Sequence, residues 1–367
     1  MLVGVFHPAL NACGGAEFVS INIINTLKQH GHNIVVLTDE KINRAKIEKI
    51  YDVNLIVDSQ IIFPFALFPP TDYHNIYSDI IRCRLLKQKC DILIDAYSND
   101  LLPGADIAYI HYPLLKRIPS NFRNEFYYWP YRVISEKTKI CTNKYLDTSC
   151  KAVLANSKFT AKAIKEVKNV DAPVLYPPIS HSHFGHPKSV FTATRENLVV
   201  TVSRISEEKK LENIPYIAKL TNKKIKFLII GLPASETALR SLLESIRKCK
   251  VSDRVKILTY ASRDRLNEIL LSSKVYLHSA INEHFGISIA EAMASGCIPV
   301  VHDSGGPREF VSQDLRYETL EEAAEKVDRS IFEWSPQNAM NIANSATRFH
   351  EKTFSEEFMK IFERVTN

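Results

Sequence analysis

Two carboxylates eight positions apart, Glu283 and Glu291, flank Gly286 within the stretch Asn282–Val301. That stretch opens as a polar turn after a strand-like run (Lys274–His278), enters a helix rich in Ala, Ile and Met, stops at Gly296 and resumes as an apolar strand. The N–H groups of a helix start favour negative charge, and here Phe285, Gly286 and Ile287 would supply them. Gly286 would let backbone approach a phosphate where a side chain would block it. A diphosphate repels carboxylates, so Glu283 and Glu291 are read as holding hydroxyls, a sugar at one end and a ribose at the other. A nucleotide-sugar meets that description. The plainer reading is a buried helix with two solvated Glu residues.

Four further places carry candidate chemistry. Arg204, Lys209 and Lys210 follow the apolar run Leu198–Val202. A planar guanidinium and a compact ammonium beyond a strand end can hold a leaving diphosphate, although such cations are often only solvated. Gly14-Gly15-Ala16-Glu17 precedes a helix marked by Phe18, Ile21, Ile24 and Leu27, which suits a diphosphate or substrate loop or a plain tight turn. Gly231 ends the run Phe227–Ile230, a turn able to approach a nucleotide, and the loop Thr259–Ser262 would border its base. His111 ends the run Ala108–Ile110 at the edge where open α/β sheets bind ligands, although a lone His is commonly a structural hydrogen-bonder.

The elements that must position these residues alternate. Leu2–Phe6, Asn33–Thr38, Asp91–Asp95, Ala152–Ala155, Leu198–Val202, Phe227–Ile230 and Val255–Leu258 read as buried strands, with amphipathic helices between them. The pattern predicts an α/β protein built on doubly wound parallel sheets. At 367 residues the length suggests two domains. The first is placed at residues 1–180, a polar linker at 181–196, the second domain at 197–350, and a last helix at 351–367 returning to the first. Ile61–Pro70, apolar but broken by prolines, is expected as a buried irregular loop or a lip touching lipid.

Composition narrows the function. With 45% hydrophobic and 24% charged residues the chain is globular. Between Lys116 and Lys168, 12 Lys and Arg face four acids. Aromatics lie among these cations at 122–131, a mixture that suits a lipid headgroup surface or a helix packed on the core. No nucleic-acid motif accompanies the basic excess. Seven scattered cysteines without a Cys-x-x-Cys indicate neither a zinc site nor a disulfide framework. The start, Met1–Pro8, reads as a strand rather than a signal peptide. Nothing approaches the ~18 apolar residues of a membrane span. A cytoplasmic protein, peripheral at most on a membrane, is expected.

The Glu-x7-Glu stretch and the following Asp303-Ser304-Gly305-Gly306-Pro307 resemble the signature of retaining glycosyltransferases of the GT4 family. The wording Glu-His-Phe-Gly is most similar to that of mannosyltransferases that extend lipid-linked oligosaccharides. The resemblance implies the GT-B fold, two Rossmann-like domains facing a cleft. It also implies a metal-independent reaction, consistent with the lack of any Asp-x-Asp, with a nucleotide-sugar as co-substrate and no cofactor. Residue roles follow from it. His111 faces the transferred sugar and acceptor, and Gly14-Gly15 faces the reaction centre. Arg204 and Lys209, with Lys210 the alternate, meet the diphosphate; Glu283 holds the sugar and Glu291 the ribose. The expected function is transfer of mannose from GDP-mannose to a lipid-linked or other glycan. A UDP-sugar-dependent transferase is the alternative within the class, and a catalytically silent GT-B binding protein the alternative outside it.

Overall fold

The structure, a computed structural model, describes residues 1–64, 76–113, 116, 150–180, 184, 187–192 and 194–367. The chain forms two compact units, Met1–Pro178 with Lys352–Asn367, and Ile179–Glu351.

The first unit runs β1 (Leu2–Phe6), α1 (Gly15–Gln29), β2 (Asn33–Thr38), α2 (Arg44–Tyr51), β3 (Ser59–Ile62), α3 (Ile76–Lys87), β4 (Ile92–Asp95), β5 (Ile107–Ile110), β6 (Ala152–Ala155) and α4 (Lys158–Lys168). Its strands pair in the order β3-β2-β1-β4-β5-β6, all parallel. The inner strands are near-continuous apolar runs, as in a parallel sheet covered on both faces. Ser157 caps α4, its hydroxyl accepting from Thr160 N–H. Ile61 and Ile62, expected in a broken loop, extend the edge strand β3 beside β2. An edge strand tolerates a following proline because one side of its backbone needs no ladder partner. Residues 65–70 of that run and the aromatic–basic segment 122–131 lie outside the described residues.

The second unit runs α5 (Pro187–Thr192), β7 (Glu196–Val202), α6 (Asn213–Leu220), β8 (Lys226–Ile230), α7 (Glu236–Cys249), β9 (Val255–Leu258), α8 (Arg263–Ser272), β10 (Ser273–His278), α9 (Ile287–Ala294), β11 (Ile298–His302), β12 (Arg316–Tyr317), α10 (Leu320–Glu333) and α11 (Pro336–Ala346). The strand order is β12-β11-β10-β7-β8-β9, again all parallel. Its core gathers Val199, Phe227, Ile229, Val275, Leu277 and Val300 under α6 and α10.

Residues 181–196, expected as a linker, hold α5 and a structural arginine instead. Arg195 donates to Leu270 O at 3.1 Å, Ser273 O at 2.6 Å and Ser295 O at 2.5 Å. The guanidinium thus satisfies the orphan carbonyls at the ends of both α8 and α9, where a cation also complements the helix dipole. The last helix, α12 (Glu351–Thr366), belongs to the first unit. There Ser355 pairs with Thr26 and Phe354 stacks edge-on against Tyr109.

Candidate active site

In both sheets the order reverses beside the first strand, at β1/β4 and at β7/β10. Ligands of open α/β sheets sit at such switch points, outside the carboxyl ends of the strands. Arg204, Lys209, His278 and Glu283 all belong to the segments that leave β7 and β10.

The turn after β7 is short and tied down. Ile205 N–H donates to Leu232 O, and Glu207–Lys209 closes one 3-10 turn through Lys209 N–H to Ser206 O. Ser279, just after β10, donates to Lys209 O at 2.8 Å. The Lys209 ammonium reaches Glu283 Oε2 at 2.7 Å, so this lysine is held at both ends. Lys210 turns away: it is the left-handed residue closing the turn, with φ 51°, and its ammonium lies 4.0 Å from Glu212. Arg204 is exposed at the mouth of the turn.

Glu283 is gripped by two partners on one oxygen. His278 Nε2 lies 3.0 Å from the same Oε2 that Lys209 holds. Burial pushes the Glu283 carboxyl up, but the Lys209 charge and the His278 hydrogen bond outweigh it and hold the acid well below the usual carboxylate range. Glu291 is treated alike from another direction. Its Oε1 meets Arg263 Nη1 at 2.5 Å, both side chains nearly buried. Among the described residues neither Glu283 Oε1 nor Glu291 Oε2 has a hydrogen-bond partner. Each carboxylate therefore has one oxygen fixed and one to offer.

The glycines here serve backbone packing. Gly286 caps α9 with φ 93°, and a Cβ there would meet Ile289 at 2.5 Å. At Gly305 and Gly306 a Cβ would lie 2.2 Å and 2.1 Å from the carbonyl oxygens of Glu283 and His284; Gly306 N–H donates to Glu283 O. The Gly-Gly turn thus shapes the Glu283 loop. Gly231, expected to approach a nucleotide, is packed closely on protein on its Cβ side, where a Cβ would sit 1.7 Å from Ser203 O. The Phe285 ring packs against Phe310 and Phe349, both at 5.2 Å, so its side chain is committed to protein. The first intrahelical bond of α9 runs from Ile289 N–H to Gly286 O, so the N–H groups of Gly286, Ile287 and Ser288 precede the ladder.

In the first unit, His111 follows β5 directly. Its backbone N–H donates to Asn99 Oδ1 at 2.9 Å and its ring Nε2 lies 3.3 Å from Ala96 O. Gly14 N–H donates to Glu17 Oε2 at 2.6 Å, and Tyr51 donates to Gly14 O. That N–H, expected to face a diphosphate, is already taken by the acid of its own helix start, as in a capping box. Beside it, fully buried His7 is held neutral. Burial first, then the nearby His111, lowers its pKa to about 3.

Sequence reasoning named Lys209, Glu283 and Glu291 and missed the side chains that orient them, His278 and Arg263. His278 was legible as the polar last residue of an apolar strand five positions before Glu283. Arg263 had only its place after the loop Thr259–Ser262 as a signal.

Residues 186–342 match the family described as Glycosyl transferases group 1. This chain carries a group 1 glycosyltransferase domain. The curated relatives are named GDP-Man:Man(3)GlcNAc(2)-PP-Dol alpha-1,2-mannosyltransferase. That of Dictyostelium discoideum is 24% identical, over 100% of this chain and 85% of its own length. The Homo sapiens protein is 25% identical, over 100% and 87%. Of the Candida albicans relative the chain spans 61%. Among solved structures, HepE of Anabaena, in complex with UDP and glucose, has a TM-score of 0.73 at 15% identity. That match covers 99% of this chain and 100% of HepE. WaaG, a glycosyltransferase involved in lipopolysaccharide biosynthesis, has a TM-score of 0.71 at 12% identity, over 98% and 99%. The glycosyltransferase thus has the GT-B architecture of two parallel six-stranded units. Among its described residues no helix is long and apolar enough to cross a membrane.

Proposed function

We propose that this glycosyltransferase moves mannose from GDP-mannose onto a lipid-linked glycan, with retained anomeric configuration and without a metal ion. It would work on the cytoplasmic side of a membrane that it meets peripherally. The observation that carries the reading is the pair of half-held carboxylates at the β7/β10 switch point. Glu291 Oε2 is assigned to the ribose and Glu283 Oε1 to the sugar hydroxyls. The Lys209 ammonium has three N–H donors and gives one to Glu283, so two remain for the diphosphate. Arg204 and the N–H groups that open α9 would share that charge as it grows, the preorganised stabilisation that commonly dominates such catalysis. On the first unit, His111 and the Gly14–Gly15 turn are assigned to the acceptor. The acceptor oxygen bonds the anomeric carbon as the carbon–diphosphate bond breaks, and its proton passes to the departing phosphate. GDP-mannose and a lipid-linked acceptor are favoured because those relatives that the chain matches end to end carry that name.

The test is a donor panel. The purified protein is incubated with GDP- and UDP-sugars and a lipid-linked oligosaccharide fraction, and nucleotide release and label transfer are followed. Transfer from GDP-mannose, lost in Glu283→Ala and in His111→Ala, is the expected result. Transfer from a UDP-sugar alone would overturn the donor assignment. Nucleotide binding without turnover of any donor would overturn the enzyme reading.

A further inference from the structure

Helix α8 begins with a residue that helix energetics disfavours. Ser262 caps it, accepting from Arg265 N–H, so Arg263 takes the first helical position. There the helix dipole favours acids and opposes a cation. Local rules broken in this way tend to mark a residue with another task. Arg263 leaves its own helix and reaches Glu291 Oε1 on α9, while its guanidinium lies 5.5 Å over the ring of Phe184. A planar cation held between a carboxylate and an aromatic face has little rotamer freedom left. Glu291 therefore meets a ligand with one oxygen already fixed. The ordering cost of aiming the other is met by folding and not by binding. Lysine would not do the same, because a point charge on a flexible stem fixes distance and leaves direction open.

We propose that Arg263 is a positioning residue that aims Glu291 Oε2 at the vicinal hydroxyls of the nucleotide's ribose. It thereby sets the preference of this site for a ribonucleotide over one lacking those hydroxyls. The inference rests on the assignment of Glu291 to the ribose. It makes no claim that Arg263 touches base or phosphate.

Calorimetric titration of the full chain tests it, with GDP and 2′,3′-dideoxy-GDP as probes. The proteins are the wild type, Arg263→Gln, Arg263→Lys, Glu291→Gln and the double variant Arg263→Gln/Glu291→Gln, each checked by melting temperature. The wild type is expected to prefer GDP about tenfold or more, the scale of hydrogen bonds to a charged acceptor. Arg263→Gln should bring GDP affinity down to near that of the dideoxy compound and leave the dideoxy affinity unchanged. Arg263→Lys should fall between. The double variant should be no worse than Glu291→Gln, since both act through one carboxylate. Equal weakening of both nucleotides by Arg263→Gln would overturn the proposal, because it would mean a base or phosphate contact or a general structural loss. So would full discrimination retained in Arg263→Gln when Glu291→Gln has lost it. Discrimination retained in Glu291→Gln would overturn the ribose assignment itself, and that outcome is read without any Arg263 variant.

Discussion

The two sheets share one strand order, yet their carboxyl edges carry opposite electrostatics. At the second edge the acids are held by basic side chains: Glu283 by Lys209 and His278, Glu291 by Arg263. At the first edge burial outweighs any partner and shifts His7 and Asp95 toward their neutral forms. His7 after β1 stays neutral with a pKa lowered to about 3. Asp95 at the end of β4 is pushed up to about 6 by burial, against hydrogen bonds from Ser98 and Tyr97 that pull it down. Topology selects where a ligand can sit, and the partners of each side chain decide what charge waits there. A diphosphate donor calls for fixed cations and oriented carboxylates.

The comparison breaks first if Glu283 proves dispensable. Glu283→Ala should lower kcat/KM for transfer by roughly a thousandfold, equivalent to about 4 kcal/mol of lost transition-state stabilisation. The melting temperature serves as the control for folding. A loss under tenfold would mean that the charged edge does not carry the donor chemistry.

Next in size is a structural test of the same edge. In Gly231→Ala the new Cβ would lie 1.7 Å from Ser203 O, a backbone atom, so the ends of β7 and β8 must separate. Urea unfolding should show about 3 kcal/mol or more of destabilisation. A shift under 1 kcal/mol would show that the turn carrying Arg204 and Lys209 yields easily, contrary to its hydrogen bonding.

Much of this was legible in the chain. Strands such as Asn33–Thr38 and Ala152–Ala155 stood out because parallel strands covered on both faces read as near-continuous apolar runs. Glu283, Glu291 and Lys209 stood out by spacing and resemblance. What escaped depends on contacts between residues distant in sequence. Arg195 looked like a polar linker cation until α8 and α9 brought their carbonyls to it. The close packing of Gly231 on Ser203 O is likewise hidden, because nothing in sequence tells which backbone a glycine approaches. Arg263 meets Glu291 across 28 positions, a distance that no local pattern encodes. The short β12 has too few residues for any periodicity to show.

Neutral His7 gives the first edge its own signature in pH. His7 takes up a proton near 6.5 when unfolded and only near 3 when folded. The unfolded chain therefore binds more protons between those values. The contribution of neutral His7 to stability is complete above pH 6.5 and is lost as pH falls, by up to about 1.4 kcal/mol per unit. From pH 6.5 to pH 5 the loss is about 2 kcal/mol. His7→Phe should show a shallower loss over that interval, followed by urea midpoints at each pH. Equal slopes for the two proteins would mean that His7 is not held neutral.

The finest contrast is between two adjacent lysines. Lys209 and Lys210 are chemically identical, but the 3-10 turn sends one to Glu283 and leaves the other in a left-handed conformation at the surface. Lys209→Ala should cost roughly a hundredfold in kcat/KM, the scale for one preorganised charge at a leaving group. Lys210→Ala should change it less than about twofold, because an exposed cation near Glu212 is worth little. Lys210→Gly should even be tolerated in stability, since glycine adopts a φ of 51° without strain. If the two lysines mattered equally, the diphosphate would be reading net charge along this turn. If only Lys209 matters, it is reading the one ammonium that Ser279 and Glu283 hold in place.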